Sequence, residues 1–169
     1  MDESRPTTRL SDPTPTDAPQ PSEPTPAQTR ATAAPPPVSA APPLILVVDD
    51  MLDNAVVISL ALQQQGYRVV NAGNGEEALK VAAISRPDLI LMDIAMPQLD
   101  GLEATRRLRE DTALRTIPVI ALTAFDTQGF HRAAYDAGID GYLTKPINFD
   151  RLFDLIRSKL ADRQTGDES

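Results

Sequence analysis

The chain has 169 residues and a formal net charge of −8, with a pI of about 4.6. A surface this acidic disfavours phosphate backbones and anionic membranes, so we expect neither nucleic acid nor a membrane as a partner. The absence of cysteine excludes disulfides and thiolate metal sites. Together with the lack of a signal-peptide core and of any apolar run near the roughly 18 residues of a membrane helix, it indicates a cytoplasmic location.

The composition of the chain changes abruptly near residue 43. Residues 1–43 hold 12 of the 16 prolines and almost no large apolar side chains. Side chains of Pro, Thr, Ala, Ser and Gln cannot bury enough surface to offset the loss of chain entropy on folding. We therefore expect a disordered N-terminal arm over residues 1–43, a folded domain over residues 44–161 and a short flexible C-terminal tail over residues 162–169.

From residue 44 onward, short apolar runs alternate with amphipathic segments. Continuous runs of Leu, Ile and Val are typical of strands that are buried on both faces, as in a parallel sheet. Five runs of this kind predict five strands, at Leu44–Val48, Arg68–Ala72, Asp88–Met92, Ile117–Leu122 and Gly141–Thr144.

The segments between and after these runs have the periodicity of helices. Apolar residues repeat at the spacing of one helix face between residues 130 and 137, and again between residues 152 and 160. Asn74 and Glu77 predict a capped helix start, whereas Gly66 and Gly138 lie where helices are expected to end. The alternation predicts an α/β domain of the (βα)₅ type, with a doubly wound parallel sheet.

Polar residues stand at the carboxyl ends of four predicted strands. Asp49 and Asp50 follow the first strand, Asp93 the third, Thr123 the fourth and Lys145 the fifth. In a doubly wound sheet, ligands bind beyond these strand ends. We therefore expect the five side chains to converge on one rim of the sheet.

Carboxylates, a hydroxyl and an ammonium group at one rim suit the binding of an oxyanion. Adjacent carboxylates repel one another, and Mg²⁺ relieves the repulsion because it prefers a few carboxylate oxygens together with water. The cation and Lys145 would neutralise phosphoryl oxygens while Thr123 donates a hydrogen bond. A carboxylate can also attack phosphorus and form an acyl phosphate. Asp93 is the better nucleophile, because the loop after it leaves room for a ligand, whereas Asp49 and Asp50 suit metal binding.

These residues lie in motifs that resemble those of bacterial two-component response-regulator receiver domains, in particular the stand-alone, CheY-like members. The resemblance extends from about Leu44 to Leu160. It implies a flavodoxin-like fold with strand order 2-1-3-4-5. It also implies that Asp93 receives a phosphoryl group from a histidine kinase or a histidine phosphotransfer protein. The motifs that carry it are Ile45–Asp50, Leu91–Pro97, Asp100–Gly101, Ala121–Ala124 and Gly141–Pro146.

The resemblance further implies how a metal ion would be held. The ion would be Mg²⁺, with Mn²⁺ as the alternative. Its protein ligands would be Asp50, Asp93 and the backbone carbonyl of Ala95, with Asp49 contributing through water.

A conformational switch is implied by the same resemblance. Lys145 would contact the phosphoryl group and be joined to Pro146 by a cis peptide bond, which has a low cost only before proline. Phosphorylation would draw Thr123 inward, and Tyr142 on the fifth strand would follow. The surface made by the fourth helix, fifth strand and fifth helix would then change its preferred partner, as bonds made only in the phosphorylated state bias a pre-existing equilibrium.

Each of these residues also has an ordinary structural interpretation. Asp49 and Asp50 fit a strand-to-helix turn, Thr123 a strand-end hydroxyl and Tyr142 a half-buried strand aromatic. His131, in the predicted fourth helix away from the rim, fits a surface or hydrogen-bonded residue better than a ligand. The functional interpretation is favoured because the ordinary one requires several independent coincidences.

Three other functions share parts of the pattern. A receiver-like scaffold could bind partners without phosphorylation, although all five rim residues are present. A phosphatase of the haloacid-dehalogenase type uses a second carboxylate two residues after its nucleophile, where this chain has Ala95. We therefore expect no enzyme activity beyond catalysis of the chain's own phosphorylation and dephosphorylation. A dinucleotide-binding domain is disfavoured because the first turn, residues 49–53, is acidic and has no glycine.

The sequence says least about which downstream protein the switch controls. Nine residues follow Leu160, which is too few for a DNA-binding or catalytic domain. We expect a stand-alone regulator, monomeric or weakly dimeric, that controls an unidentified downstream protein or relays phosphate to another histidine protein. A receiver fragment of a longer chain is the alternative.

Overall fold

The computed structural model describes residues 41–96 and 99–166, so the predicted N-terminal arm lies almost entirely outside the described residues. The described residues form one parallel sheet in the order β2-β1-β3-β4-β5, with a helix after each strand, which confirms the predicted (βα)₅ fold. The strands are β1 (Leu44–Val48), β2 (Arg68–Ala72), β3 (Leu89–Asp93), β4 (Val119–Thr123) and β5 (Gly141–Thr144). The helices are α1 (Leu52–Gln64), α2 (Gly75–Ser85), α3 (Gly101–Glu110), α4 (Gln128–Ala137) and α5 (Phe149–Gly166).

The central strands are buried because both faces of the sheet are covered. Alternate side chains of β1, β3 and β4 point to opposite faces. One set, which includes Leu46 and Ile90, packs with buried residues of α2, α3 and α4. The other set, which includes Ile45 and Leu91, packs with buried residues of α1 and α5. The two cores fix the central strands and, with them, the residues at the strand ends.

Strands β3 and β4 start and end later than the apolar runs predict. Strand β4 begins after Pro118, which has no N–H to donate to the sheet. At the other end, Asp93 and Thr123 belong to the strands themselves and are paired with Leu122 and Thr144 of the neighbouring strands. The backbones of two predicted site residues are therefore held in the register of the sheet.

The predicted helix boundaries at Asn74, Gly66 and Gly138 are confirmed. The side chain of Asn74 accepts a hydrogen bond from the N–H of Glu77 at 2.8 Å, and the Glu77 carboxylate accepts one from the N–H of Gly73 at 2.8 Å. Gly66 and Gly138 follow the ends of α1 and α4 with φ of +93° and +96°. Side chains with a Cβ rarely adopt this left-handed conformation, which explains why glycine stands at both positions.

Helix α5 extends to Gly166, so the first residues of the predicted flexible tail are helical. The apolar periodicity that predicts this helix stops at Leu160. Beyond it, the Arg163 side chain donates a hydrogen bond to the backbone carbonyl of Asp88 at 2.9 Å, which holds the last turns against the start of β3. Among the described residues, no helix is long and apolar enough to cross a membrane.

Arg109 of α3 joins three segments at the end of the sheet away from the rim. Its guanidinium donates to backbone carbonyls of the α3–β4 connection, Arg115 at 2.9 Å and Ile117 at 2.8 Å. It also donates to the carbonyl of Gly138 at 2.7 Å and to the carboxylate of Asp140 at 2.7 Å. One side chain thus satisfies the carbonyl groups of two loops.

We expect Arg109→Ala to lower the free energy of unfolding by about 2 kcal/mol, because it removes several charge-assisted hydrogen bonds at once. Urea denaturation at neutral pH would measure the loss. The matched control is Arg107→Ala on the same helix, where an exposed ion pair with Glu103 at 3.4 Å contributes less than about 1 kcal/mol. Equal losses of unfolding free energy in the two variants would contradict this stabilising role of Arg109.

Candidate functional site

The three predicted carboxylates meet at the carboxyl end of the sheet. Asp49 follows β1, and Asp93 is the last residue of the adjacent strand β3. Carboxylate oxygens of Asp49, Asp50 and Asp93 all lie within 4.8 Å of one another. Asp49 and Asp93 are buried, whereas Asp50 is exposed. The structure therefore brings together an acidic cluster that is open to solvent on one side.

Asp49 has one oxygen that lacks a hydrogen-bond partner. Its Oδ1 accepts a hydrogen bond from the N–H of Met51 at 2.9 Å. Its Oδ2 is buried and has no partner among the described residues. Burial raises the pKa of Asp49 above its ordinary value; the Met51 N–H opposes this, and the charge of Asp93 adds to it. A divalent cation beside this oxygen would supply the missing interaction, so the donor set fits a hard metal ion.

Both oxygens of Asp93 are oriented by the chain. Oδ1 accepts a hydrogen bond from the N–H of Ala95 at 3.1 Å, and Oδ2 lies 3.3 Å from Nζ of Lys145. Lys145 is held by its own N–H, which donates to the carbonyl of Thr123 at 2.7 Å, and the bond to Pro146 is cis. A buried carboxylate is thus placed beside a positive charge that comes from the end of a different strand.

Gly101 allows α3 to start directly against the backbone of Asp93. A Cβ at Gly101 would lie 2.5 Å from the Asp93 carbonyl oxygen, which is too close for any other residue without movement of the backbone. The preceding residue, Asp100, caps the helix by accepting a hydrogen bond from the N–H of Glu103 at 2.8 Å. The sequence motif Asp100–Gly101 therefore starts α3 directly against the carboxyl end of β3.

Thr123 and Tyr142 lie outside the contacts of the acidic cluster. The Thr123 oxygen is buried at the end of β4 and accepts a hydrogen bond from the N–H of Phe125 at 2.9 Å, within its own loop. Tyr142 is 40% exposed, and its ring lies beside that of His131. Of the predicted side chains, the structure thus brings Asp49, Asp50, Asp93 and Lys145 together and leaves these two outside that cluster.

A groove beside the acidic cluster is a feature that the sequence analysis missed. It has a volume of about 260 Å³, and its floor and walls combine Asp49 and Lys145 with Val57, Ile147 and Phe149. Val57 in this lining is exposed, and other exposed positions of α1 are apolar as well, namely Leu52, Val56 and Leu60. The signal was present in the sequence, because the α1 segment has apolar residues on every face rather than on one.

The same combination of fold and rim residues occurs in known proteins. A family model described as the response regulator receiver domain matches residues 45–157. The polar-differentiation response regulator DivK of Brucella anthropi is 40% identical over 121 residues, which cover 72% of this chain and 98% of DivK.

Solved structures agree with this match. The receiver domain of the sensor histidine kinase PA1611 from Pseudomonas aeruginosa, with a magnesium ion coordinated in its active-site cleft, is 38% identical. Its TM-score is 0.67, with 72% of this chain and 99% of that one covered. The chemotaxis protein CheY4 of Vibrio cholerae is 30% identical with a TM-score of 0.67, covering 70% of this chain and 98% of its own. The chain therefore belongs to the family of response regulator receiver domains, the signalling proteins of two-component systems.

Proposed function

We propose that this chain is a phospho-accepting response regulator, in which Asp93 receives a phosphoryl group from a phosphohistidine in the presence of Mg²⁺. The observation that supports this most is the cluster of Asp49, Asp50 and Asp93, with Lys145 beside the Asp93 carboxylate. A scaffold that only binds partners would have no need to bury two carboxylates side by side. We further propose that the donor is a histidine kinase or a histidine phosphotransfer protein of the cytoplasm.

The metal ligands in this proposal are Asp50, Asp93 and the backbone carbonyl of Ala95, with Asp49 acting through water. The unpartnered Oδ2 of Asp49 supports the presence of a cation, and Mg²⁺ is the ion named for the PA1611 receiver domain. Bound Mg²⁺ would offset the negative charge of the carboxylates and of the incoming phosphoryl oxygens.

The chain's own residues account for the transfer step. An oxygen of Asp93 bonds to phosphorus while the phosphorus–nitrogen bond of the donor breaks, and the electron pair of that bond remains on the imidazole nitrogen. Lys145 is already 3.3 Å from Asp93 Oδ2 and would neutralise a phosphoryl oxygen. The Thr123 hydroxyl, which donates to the backbone carbonyl of Phe125 at 3.4 Å, would donate to another phosphoryl oxygen instead.

We expect the wild-type chain to gain one phosphoryl group from acetyl phosphate with Mg²⁺, and Asp93→Asn to gain none, because the amide is not a nucleophile. Intact-protein mass spectrometry would measure the gain. Asp53→Asn is the matched control, since Asp53 is an exposed acid in the first turn of α1 outside the cluster. A wild-type chain that neither gains mass nor changes its amide spectrum with beryllofluoride would refute the proposed function in favour of a scaffold.

Asp49→Asn should make the metal-free protein more stable at neutral pH. Because the pKa of Asp49 is raised in the folded state, its ionised form opposes folding, and the asparagine removes this effect. The gain should vanish as the pH falls below the ordinary carboxyl pKa, where the group is protonated in both states. Thermal unfolding with EDTA across this pH range would measure it.

The same variant should lose most of its response to the metal. Mg²⁺ at about 100 times its dissociation constant would stabilise the wild-type protein by about 2.7 kcal/mol. Asp53→Asn should keep this increment, because its carboxylate lies outside the cluster. An undiminished Mg²⁺ increment in Asp49→Asn would show that Asp49 takes no part in metal binding.

The apolar face of α1 supports a docking site for the phosphodonor. Leu52, Val56 and Leu60 repeat every fourth residue and are 75%, 45% and 54% exposed, which is unusual for a helix that also covers the core. Val57 of the same helix is also exposed and lines the groove that contains Asp49 and Lys145. We propose that a helix of the donor packs against this face and so brings its phosphohistidine to Asp93.

We expect Val56→Asp to slow phosphotransfer from a histidine-containing donor at least about tenfold, because a charge in a desolvated interface typically costs more than about 1.4 kcal/mol. Labelling by acetyl phosphate, which needs no docking, should remain unchanged. Ile84→Asp on α2 is the matched control, since Ile84 is 85% exposed on a different helix. Equal rates for the two variants would place the docking site elsewhere.

A further inference from the structure

We propose that His131 is a positioning residue that holds Tyr142 in its outward orientation and links it to the loop after β4. The proposal rests on the proposed function, in which Tyr142 changes orientation after phosphorylation of Asp93. Its basis is a contact between residues of α4, β5 and the β4–α4 loop that no motif of the sequence indicates.

The two rings are in direct contact. The centroids of His131 and Tyr142 are 4.3 Å apart, with 35° between the ring planes. The Tyr142 hydroxyl lies 3.4 Å from Nδ1 of His131, and Nε2 of His131 lies 2.8 Å from the carboxylate of Asp126. The other aromatic ring against His131 is that of Phe130, in an edge arrangement at 6.3 Å.

One tautomer of the neutral imidazole satisfies both of these polar contacts. If Nε2 carries the proton, it donates to the Asp126 carboxylate, and the lone pair of Nδ1 accepts from the Tyr142 hydroxyl. His131 then joins an acceptor on the loop to a donor on β5. Neither alanine nor an apolar residue at this position could make both bonds.

The loop that holds His131 also contains the predicted switch threonine. Asp126 is three residues after Thr123, whose oxygen accepts the N–H of Phe125 between them. A Thr123 hydroxyl that turns toward a phosphoryl group gives up this bond, which releases the segment that carries Asp126. His131 then loses its partner on the loop, and the outward orientation of Tyr142 loses its support.

The contact should therefore favour the unphosphorylated arrangement. The partly exposed Tyr142 ring lies tilted against the ring of His131, and an inward ring would leave this contact. A ligand of the phosphorylated state must overcome this preference, so removal of the contact should raise the affinity for that ligand by the same factor. For contacts of ordinary strength, the factor is about fivefold.

Fluorine NMR of protein labelled with 3-fluorotyrosine offers a direct test, because the chain has only three tyrosines. Tyr142→Phe assigns the resonance of Tyr142. Without ligand, His131→Ala should move this resonance toward the position that the wild-type chain reaches with beryllofluoride and Mg²⁺. The concentration of beryllofluoride that gives half of the full shift should fall about fivefold.

Two further variants distinguish a specific contact from a general effect on α4. Asp126→Ala leaves both rings in place but removes the carboxylate, and it should move the Tyr142 resonance in the same direction as His131→Ala. Arg132→Ala alters the neighbouring exposed position of α4 and should move it little. An unmoved resonance in His131→Ala, or an equal movement in Arg132→Ala, would overturn the proposal.

The response of the wild-type chain to beryllofluoride tests the proposed function independently of the His131 variants. A wild-type chain whose spectrum ignores beryllofluoride would overturn the phosphorylation switch. Movement of the Tyr142 resonance in ligand-free His131→Ala would still support the placement of Tyr142 by His131.

Discussion

The rest of the site depends on the burial of two like charges, Asp49 and Asp93, at adjacent strand ends. Two unit charges about 5 Å apart repel by ~3 kcal/mol at an effective dielectric constant of ~20. Lys145 offsets part of this at Asp93, but Oδ2 of Asp49 is buried without a hydrogen-bond partner in the part of the chain that the structure describes. Only a rigid frame can hold such a cluster, and the sheet supplies it, because apolar cores on both faces fix the strands from which these residues emerge. The unrelieved charge is what makes the rim receptive to a cation.

The rim is linked to the outer surface by a short series of hydrogen bonds. Thr123 holds its own loop through the N–H of Phe125, Asp126 of that loop holds His131, and His131 contacts Tyr142. In the proposed switch, each of these bonds would be exchanged for one with a ligand or with water. In that proposal, the series would couple the phosphorylation of Asp93 to the position of Tyr142, because both ends would bias the same two-state element.

Features that depend on local pattern were predictable from the sequence. The strands follow from apolar runs, the start of α2 follows from Asn74, and the convergence of Asp93 with Asp49 follows from the direction of parallel strands. The contact between His131 and Tyr142 was not predictable, because it depends on the side-chain orientations of residues 11 apart in sequence on different elements. Neither periodicity nor spacing contains that information. The exposed apolar residues of α1 are an intermediate case. They are visible in the sequence, but only the fold shows that α1 lines a groove together with Asp49 and Lys145.

The difference between predictable and unpredictable features indicates which residues distinguish this chain from other receiver domains. The chemistry of the rim requires a handful of residues, and relatives 30–40% identical to this chain cover the same folded segment. In the proposed switch, exposed positions outside the rim would be free to set which protein docks and how easily the switch moves. A switch of this kind is sensitive to small changes, because its minor state is typically disfavoured by only a few kcal/mol. In the proposed switch, a single contact such as that of His131 with Tyr142 would be a sizeable fraction of that difference. The residues that tune the response of this receiver domain should accordingly be sought around the rim rather than in it.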